Sequence, residues 1–160
     1  MEDEKKLKNA LAVYETVISA LDAREWTYDR DDDELVIRFG VQGEDIPMDF
    51  VIRVDAERQL LKLFSFLPFK VKEDKRVDLS LATNYINYTL INGNFDLDLS
   101  DGSLLFRVTT SFHGSLIGED LIQYLISISL GTVDDYNDKF LAINSGFLSV
   151  EDFIKKEEEG

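Results

Sequence analysis

The sequence predicts an α+β fold in which helices pack on an antiparallel sheet of about five to six strands. Apolar residues recur at helical spacing at the start, middle and end of the chain, and at every second position in between. The predicted order is helix, three or four strands, helix, two strands, helix, which segregates strands from helices. Since the 160 residues contain no linker-like stretch, residues 1–154 are predicted to form a single domain, followed by a charged C-terminal tail at 155–160.

The first helix and the strands after it are predicted from a change of period. Residues 3–22 place apolar side chains on one helical face: Leu7, Ala10, Leu11, Tyr14, Val17, Ile18 and Leu21. After Trp26, apolar and polar residues alternate in residues 35–39 and again in residues 48–54. Aspartates and Gly43 separate these runs, so the connections are short enough for an antiparallel meander.

A second helix and a second hairpin follow. Residues 74–91 are predicted to be helical and end at Asn92-Gly93, a pair suited to a left-handed C-cap. The helix has two apolar stripes: Val77, Leu81, Tyr85 and Tyr88 in one, and Leu79, Ile86 and Leu90 beside it. Alternation in residues 95–99 and 104–108, on either side of an Asp-Gly turn, predicts the hairpin.

The C-terminal third is predicted to be helical in two or three pieces. Ser115 suits the N-cap of the first piece, and capping boxes begin at Thr132 and Ser149.

Composition excludes several classes of function. The chain has no cysteine, which excludes disulfides, thiolate metal sites and cysteine nucleophiles. Its net charge of −15 repels phosphate backbones and anionic lipids, so we expect neither a nucleic acid nor a membrane as partner. The first residues pass into an amphipathic pattern instead of an apolar signal segment, and we therefore expect a cytoplasmic location.

The candidates for chemistry are a few carboxylates and one histidine. Asp49, Asp96 and Asp98 lie on polar strand faces that also carry arginines, which favours ion pairs over an acid-base pair. His113 is the single histidine, so a site with several histidine ligands is excluded. Residues 96–102 resemble a calcium loop, but their glycine comes one position late. We expect no cofactor, metal or catalytic site; a carboxylate-dependent hydrolase or transferase would need a deep pocket holding at least two of these residues.

The strongest positive indication is the segment 60–69, which is apolar on both faces. Leu61, Leu63 and Leu67 fall on one face, while Leu60, Phe64 and Phe66 fall on the other. Either helices of this chain cover both faces, or the second face contacts a second copy or another protein. The candidate partner-binding residues are Leu60, Phe64, Phe66, Pro68 and Phe69.

The chain resembles the YbjN-like family, whose fold is similar to that of the type III secretion chaperones. The resemblance depends on the order of elements and on two segments: Thr83 to Asn87 continuing through Gly93 to Asp98, and Gly102 to Arg107. It implies a small, acidic, dimer-forming protein that acts as a regulator or chaperone-like module, without a known catalytic site.

Together these observations favour a non-enzymatic protein-binding module, chaperone-like or regulatory. It is expected to act through an apolar surface on an acidic domain and to form a homodimer. The alternatives are the carboxylate-dependent enzyme and a structural subunit of a larger assembly.

Overall fold

The computed structural model describes residues 1–160 and confirms the predicted α+β class and order of elements. The elements are α1 (Glu2–Ala23), β1 (Asp29–Asp31), β2 (Val36–Gln42), β3 (Pro47–Asp55), β4 (Leu60–Lys70), α2 (Arg76–Thr89), β5 (Asn94–Leu97), β6 (Ser103–Ser111), α3 (Glu119–Asn144) and α4 (Val150–Glu159). One turn of 3₁₀ helix, Glu73–Lys75, leads into α2. None of the helices is both long and apolar enough to span a membrane.

The six strands form one antiparallel sheet in the order β1-β2-β3-β4-β6-β5. The first four strands are a meander, and β6 pairs with β4 so that the second hairpin extends the same sheet. Strand β4 therefore lies near the centre, between β3 and β6, while β5 is an edge strand.

The core lies between the helices and one face of the sheet, called here the inner face. A single cluster of 35 buried apolar residues includes side chains from all four helices and from alternate positions of the strands. Ile52, Leu63 and Val108 are paired neighbours on β3, β4 and β6 and belong to this cluster. The intervening positions of these strands are outside it and form the outer face.

Helix α3 is longer than the sequence signals predicted. Its N-cap is Gly118, with no side-chain cap, so the prediction that Ser115 caps it is wrong. The helix also continues through Thr132, where a capping box suggested a new start. Val133 and Asn137 are both buried, and an unbroken helix keeps this face on the core.

Helix α4 begins where its capping box predicts. The hydroxyl of Ser149 accepts a hydrogen bond from the backbone N–H of Asp152 at 3.1 Å. Residues 155–159, predicted as a charged tail, continue this helix. Within them Glu157 accepts a hydrogen bond from Lys139 Nζ on α3 at 2.8 Å, which ties α4 to α3.

Most of the residues on which the family resemblance depends make contacts within the chain itself. Asn87 of α2 donates from Nδ2 to the carbonyl oxygen of Phe95 at 2.9 Å and accepts from the Phe95 N–H at 2.8 Å. Gly93 adopts a positive φ, and a Cβ there would lie 2.3 Å from a ring atom of Phe106. Asn84 is the exception, because its side chain is exposed and forms no hydrogen bond within the chain.

Candidate protein-binding surface

Strand β4 is apolar on both faces, as predicted, but the chain covers only one of them. Leu61, Leu63 and Leu67 are buried on the inner face, beneath the helices. Phe64 and Phe66 point to the outer face and are outside the core cluster, and 53% of Phe66 is exposed. The helices of this chain therefore leave the second face of β4 open.

The structure brings only part of the predicted site together. Phe64 and Phe66 are successive outer positions near the middle of the strand. Leu60 lies on the same face at the far end of β4, and Lys62 separates it from Phe64. Pro68 is exposed in the stretch between Phe66 and Lys70, where the register with β6 shifts. Within the same stretch, Phe69 packs partly against the core.

Two residues that sequence reasoning missed complete the apolar surface. Val51 of β3 is the register partner of Phe64, and Leu105 of β6 is the register partner of Phe66. Directly paired side chains on one face lie about 5 Å apart between Cβ atoms, so Val51 lies beside Phe64 and Leu105 beside Phe66 in one continuous apolar patch. We call Val51, Phe64, Phe66 and Leu105 the outer cluster. The sequence contained a signal for both residues. Val51 and Leu105 are apolar, although the other residues on the same faces of their strands are mostly polar or charged.

Two basic side chains next to the outer cluster are paired with carboxylates. Arg107 Nη2 lies 2.8 Å from Asp96 Oδ2, and Lys62 Nζ lies 3.1 Å from Asp55 Oδ2. Burial alone would raise the pKa of Asp55, but hydrogen bonds from Arg58 and Lys62 outweigh it and hold that pKa below its usual value. The rim thus combines these local ion pairs with one exposed arginine, Arg38, which lies opposite Val51 on β2 and forms no ion pair.

The candidate catalytic residues do not converge. Asp49 lies on β3 and Asp96 on β5, with β4 and β6 between them, which at the usual strand spacing is about 14 Å. Asp98 lies in the β5–β6 turn, where hydrogen bonds from the Ser100 hydroxyl and N–H lower its pKa. His113 is exposed in the loop before α3. No group of three or more metal-ligating side chains comes together in the structure.

A groove of about 580 Å³, whose lining includes no residue of the outer cluster, lies between α1 and the two hairpin turns nearest it. Leu7 and Leu11 of α1 form part of its wall, and Arg53 and Lys62 reach its other side. None of the candidate catalytic residues named above lines this groove.

The comparisons with known proteins agree with this architecture. The family model described as "YbjN: Putative bacterial sensory transduction regulator" matches residues 14–142. No curated protein sequence matches the chain. Among solved structures, the fold is similar to that of E. coli YbjN, described as "a putative transcription regulator", with a TM-score of 0.58 and 12% identity over 76% of this chain and 86% of that one.

The fold is also similar to a chain of the ExsC-ExsE complex, with a TM-score of 0.57 and 12% identity over 81% of this chain and 93% of that one. Identities this low establish the shared fold alone. The family model, in contrast, spans most of the sequence. The chain therefore belongs to the YbjN family.

Proposed function

We propose that this chain is a non-enzymatic protein-binding module with a chaperone-like or regulatory role, which holds a segment of a partner protein on its outer cluster. The observation that carries the proposal is that no helix of the chain covers Phe64 and Phe66 near the centre of the sheet. Phe66 is exposed and Phe64 half-buried, with Val51 and Leu105 beside them. One-sided antiparallel sheets normally present polar residues to water. Apolar residues at these central positions favour a surface that is covered in the functional state.

The energetics fit a partner that supplies apolar side chains. Fully burying one exposed large apolar side chain contributes about 1.5 to 3 kcal/mol. Because Phe66 is 53% exposed and Phe64 is already half-buried, covering both contributes roughly 1 to 3 kcal/mol before association costs. The ion pairs at the rim can remain in place during binding, since Lys62 and Arg107 already have their carboxylate partners. The proposed occupant is therefore a mostly apolar segment of low net charge.

The comparisons support the same class of function. The family is described as a regulator of sensory transduction. A chain of similar fold was solved in a complex of two proteins, ExsC and ExsE. The separation of Asp49 from Asp96 across the sheet argues against a carboxylate enzyme. The net charge of −15 supports a protein partner over nucleic acid or anionic lipid, and we propose a cytoplasmic location.

The test is a substitution on the outer cluster with a matched control. Phe66→Lys places a charge on the surface, and lysine already occupies an outer position of this strand at Lys62. Phe147→Lys makes the same change at an exposed phenylalanine in the turn between α3 and α4. A partner identified by mass spectrometry of co-purifying proteins is then titrated calorimetrically against each variant.

We expect Phe66→Lys to weaken binding by about tenfold or more, as loss of a central anchor does, while Phe147→Lys leaves the affinity unchanged. Equal affinity of wild type and Phe66→Lys for the partner would show that the partner binds elsewhere. Circular dichroism of both variants controls for loss of folding.

A further inference from the structure

An open cavity of about 370 Å³ adjoins the outer cluster on the side of β2. It lies over Gly40, which has no side chain to fill an outer position of that strand. Val51, a member of the outer cluster, forms part of its wall. A segment held on the cluster can therefore extend a side chain into the cavity.

The charged side chains of the cavity have no partners within the chain. Asp29, Arg38 and Asp49 all line it and are all exposed. Asp29 is the register partner of Arg38, and Asp49 is the register partner of Gly40. None of the three belongs to an ion pair of the chain. A Cβ on Gly40 would lie 3.4 Å from Asp49 Oδ1, so this carboxylate leans over the glycine.

The charges of the cavity favour a cation. Two carboxylates and one guanidinium leave it with one negative charge in excess. On the rest of the rim, the carboxylates of Asp55 and Asp96 have basic partners in Lys62 and Arg107. A lysine or arginine from outside gives the excess carboxylate such a partner, whereas an acidic side chain meets two carboxylates. The net charge of −15 also attracts a cation at longer range.

We infer that the partner segment carries a lysine or arginine beside its apolar residues, and that this side chain enters the cavity over Gly40 and pairs with Asp49. The apolar stem of such a side chain can lie along Val51 while its charged end reaches the carboxylate. This pairing depends on the proposed function, because the outer cluster must hold the segment beside the cavity. Asp49 then determines which apolar segments bind, since it disfavours those with an acidic residue at this position.

The test uses two short capped peptides as probes. Both carry leucine and phenylalanine at positions i, i+3, i+4 and i+7 of a glutamine-rich sequence. They differ at one neighbouring position, which is lysine in one peptide and glutamate in the other. The NMR shifts of the Gly40, Val51 and Phe66 amides follow the titration and give each dissociation constant.

Three variants separate a local contact from general attraction. Asp49→Asn removes the charge that the lysine is expected to contact. Asp120→Asn is the matched control, because Asp120 is exposed on α3, a helix on the inner face, and the net charge changes equally. Gly40→Gln fills the cavity without removing a charge. The φ of Gly40 is not positive, and its Cβ would meet no atom closer than 3.4 Å, so the strand accommodates the new side chain.

We expect wild type and Asp120→Asn to bind the lysine peptide about fivefold more tightly than the glutamate peptide at low salt. In Asp49→Asn and Gly40→Gln this preference should fall to about twofold or less. Equal affinities for both peptides, or a preference that Asp49→Asn retains, would overturn the inference. If Phe66→Lys still abolishes binding in that case, the proposed function stands. Binding of neither peptide, or binding that Phe66→Lys leaves unchanged, would contradict the proposed function and the inference with it.

Discussion

The hydrogen bonds between Asn87 and Phe95 predict a large effect from one substitution on a helix surface. Phe95 lies on the edge strand β5, and its backbone N–H and carbonyl point away from β6 towards α2. Asn87 satisfies both groups with one side chain. Asn87→Ala removes both bonds and leaves the two backbone groups in a partly buried position without a partner.

The expected loss of stability follows from the two lost hydrogen bonds and from the change in helix propensity. Each hydrogen bond lost with a group left unsatisfied costs about 1 to 3 kcal/mol, and the lower half of that range applies where water has partial access. Alanine returns about 0.5 kcal/mol of helix propensity. We therefore expect Asn87→Ala to lower the free energy of unfolding by about 2 kcal/mol and Tm by roughly 4 to 8 °C for a domain of this size.

Urea unfolding, which gives the free energy of unfolding, and amide hydrogen exchange test this prediction. Asn92→Ala is the control: Asn92 bonds only the exposed Tyr124 hydroxyl, so its loss should cost less than about 0.5 kcal/mol. In Asn87→Ala the Phe95 amide should also exchange faster than its neighbours on β6. If Asn87→Ala unfolds within about 0.5 kcal/mol of wild type, the edge of β5 does not depend on this contact and the reasoning fails.

Two further predictions concern backbone strain and alkaline pH. Gly102 and Gly146 both have positive φ, but a Cβ on Gly102 would lie 2.3 Å from the carbonyl oxygen of Val71, whereas one on Gly146 meets nothing. In thermal unfolding Gly102→Ala should cost about 3 kcal/mol and Gly146→Ala about 1 kcal/mol, and equal costs would contradict the structure. Burial and the hydrogen bond to Asp32 raise the pKa of Tyr14 to about 12. The unfolded chain releases this proton near its ordinary pKa of 10, so stability should fall as pH rises from about 10 to 12, by up to 2 to 3 kcal/mol relative to Tyr14→Phe; parallel pH profiles of the two proteins would refute it.

The sequence predicts the elements well wherever one face is buried and the other is wet. Residues 48–54 alternate because Phe50 and Ile52 face the core while Asp49 and Arg53 face water. Capping signals were less reliable. Ser149 caps α4, but the equally plausible box at Thr132 lies inside α3, where burial of the following residues outweighs the local preference.

The candidate surfaces show where sequence alone falls short. Periodicity finds two apolar stripes on α2 but does not say which one faces the core, and the stripe with Val77 and Leu81 proved to face solvent. Similarly, alternation gives Phe64 and Phe66 a common face, but the irregular register after Phe66 turns Phe69 partly to the core. Both outcomes depend on contacts between distant parts of the chain.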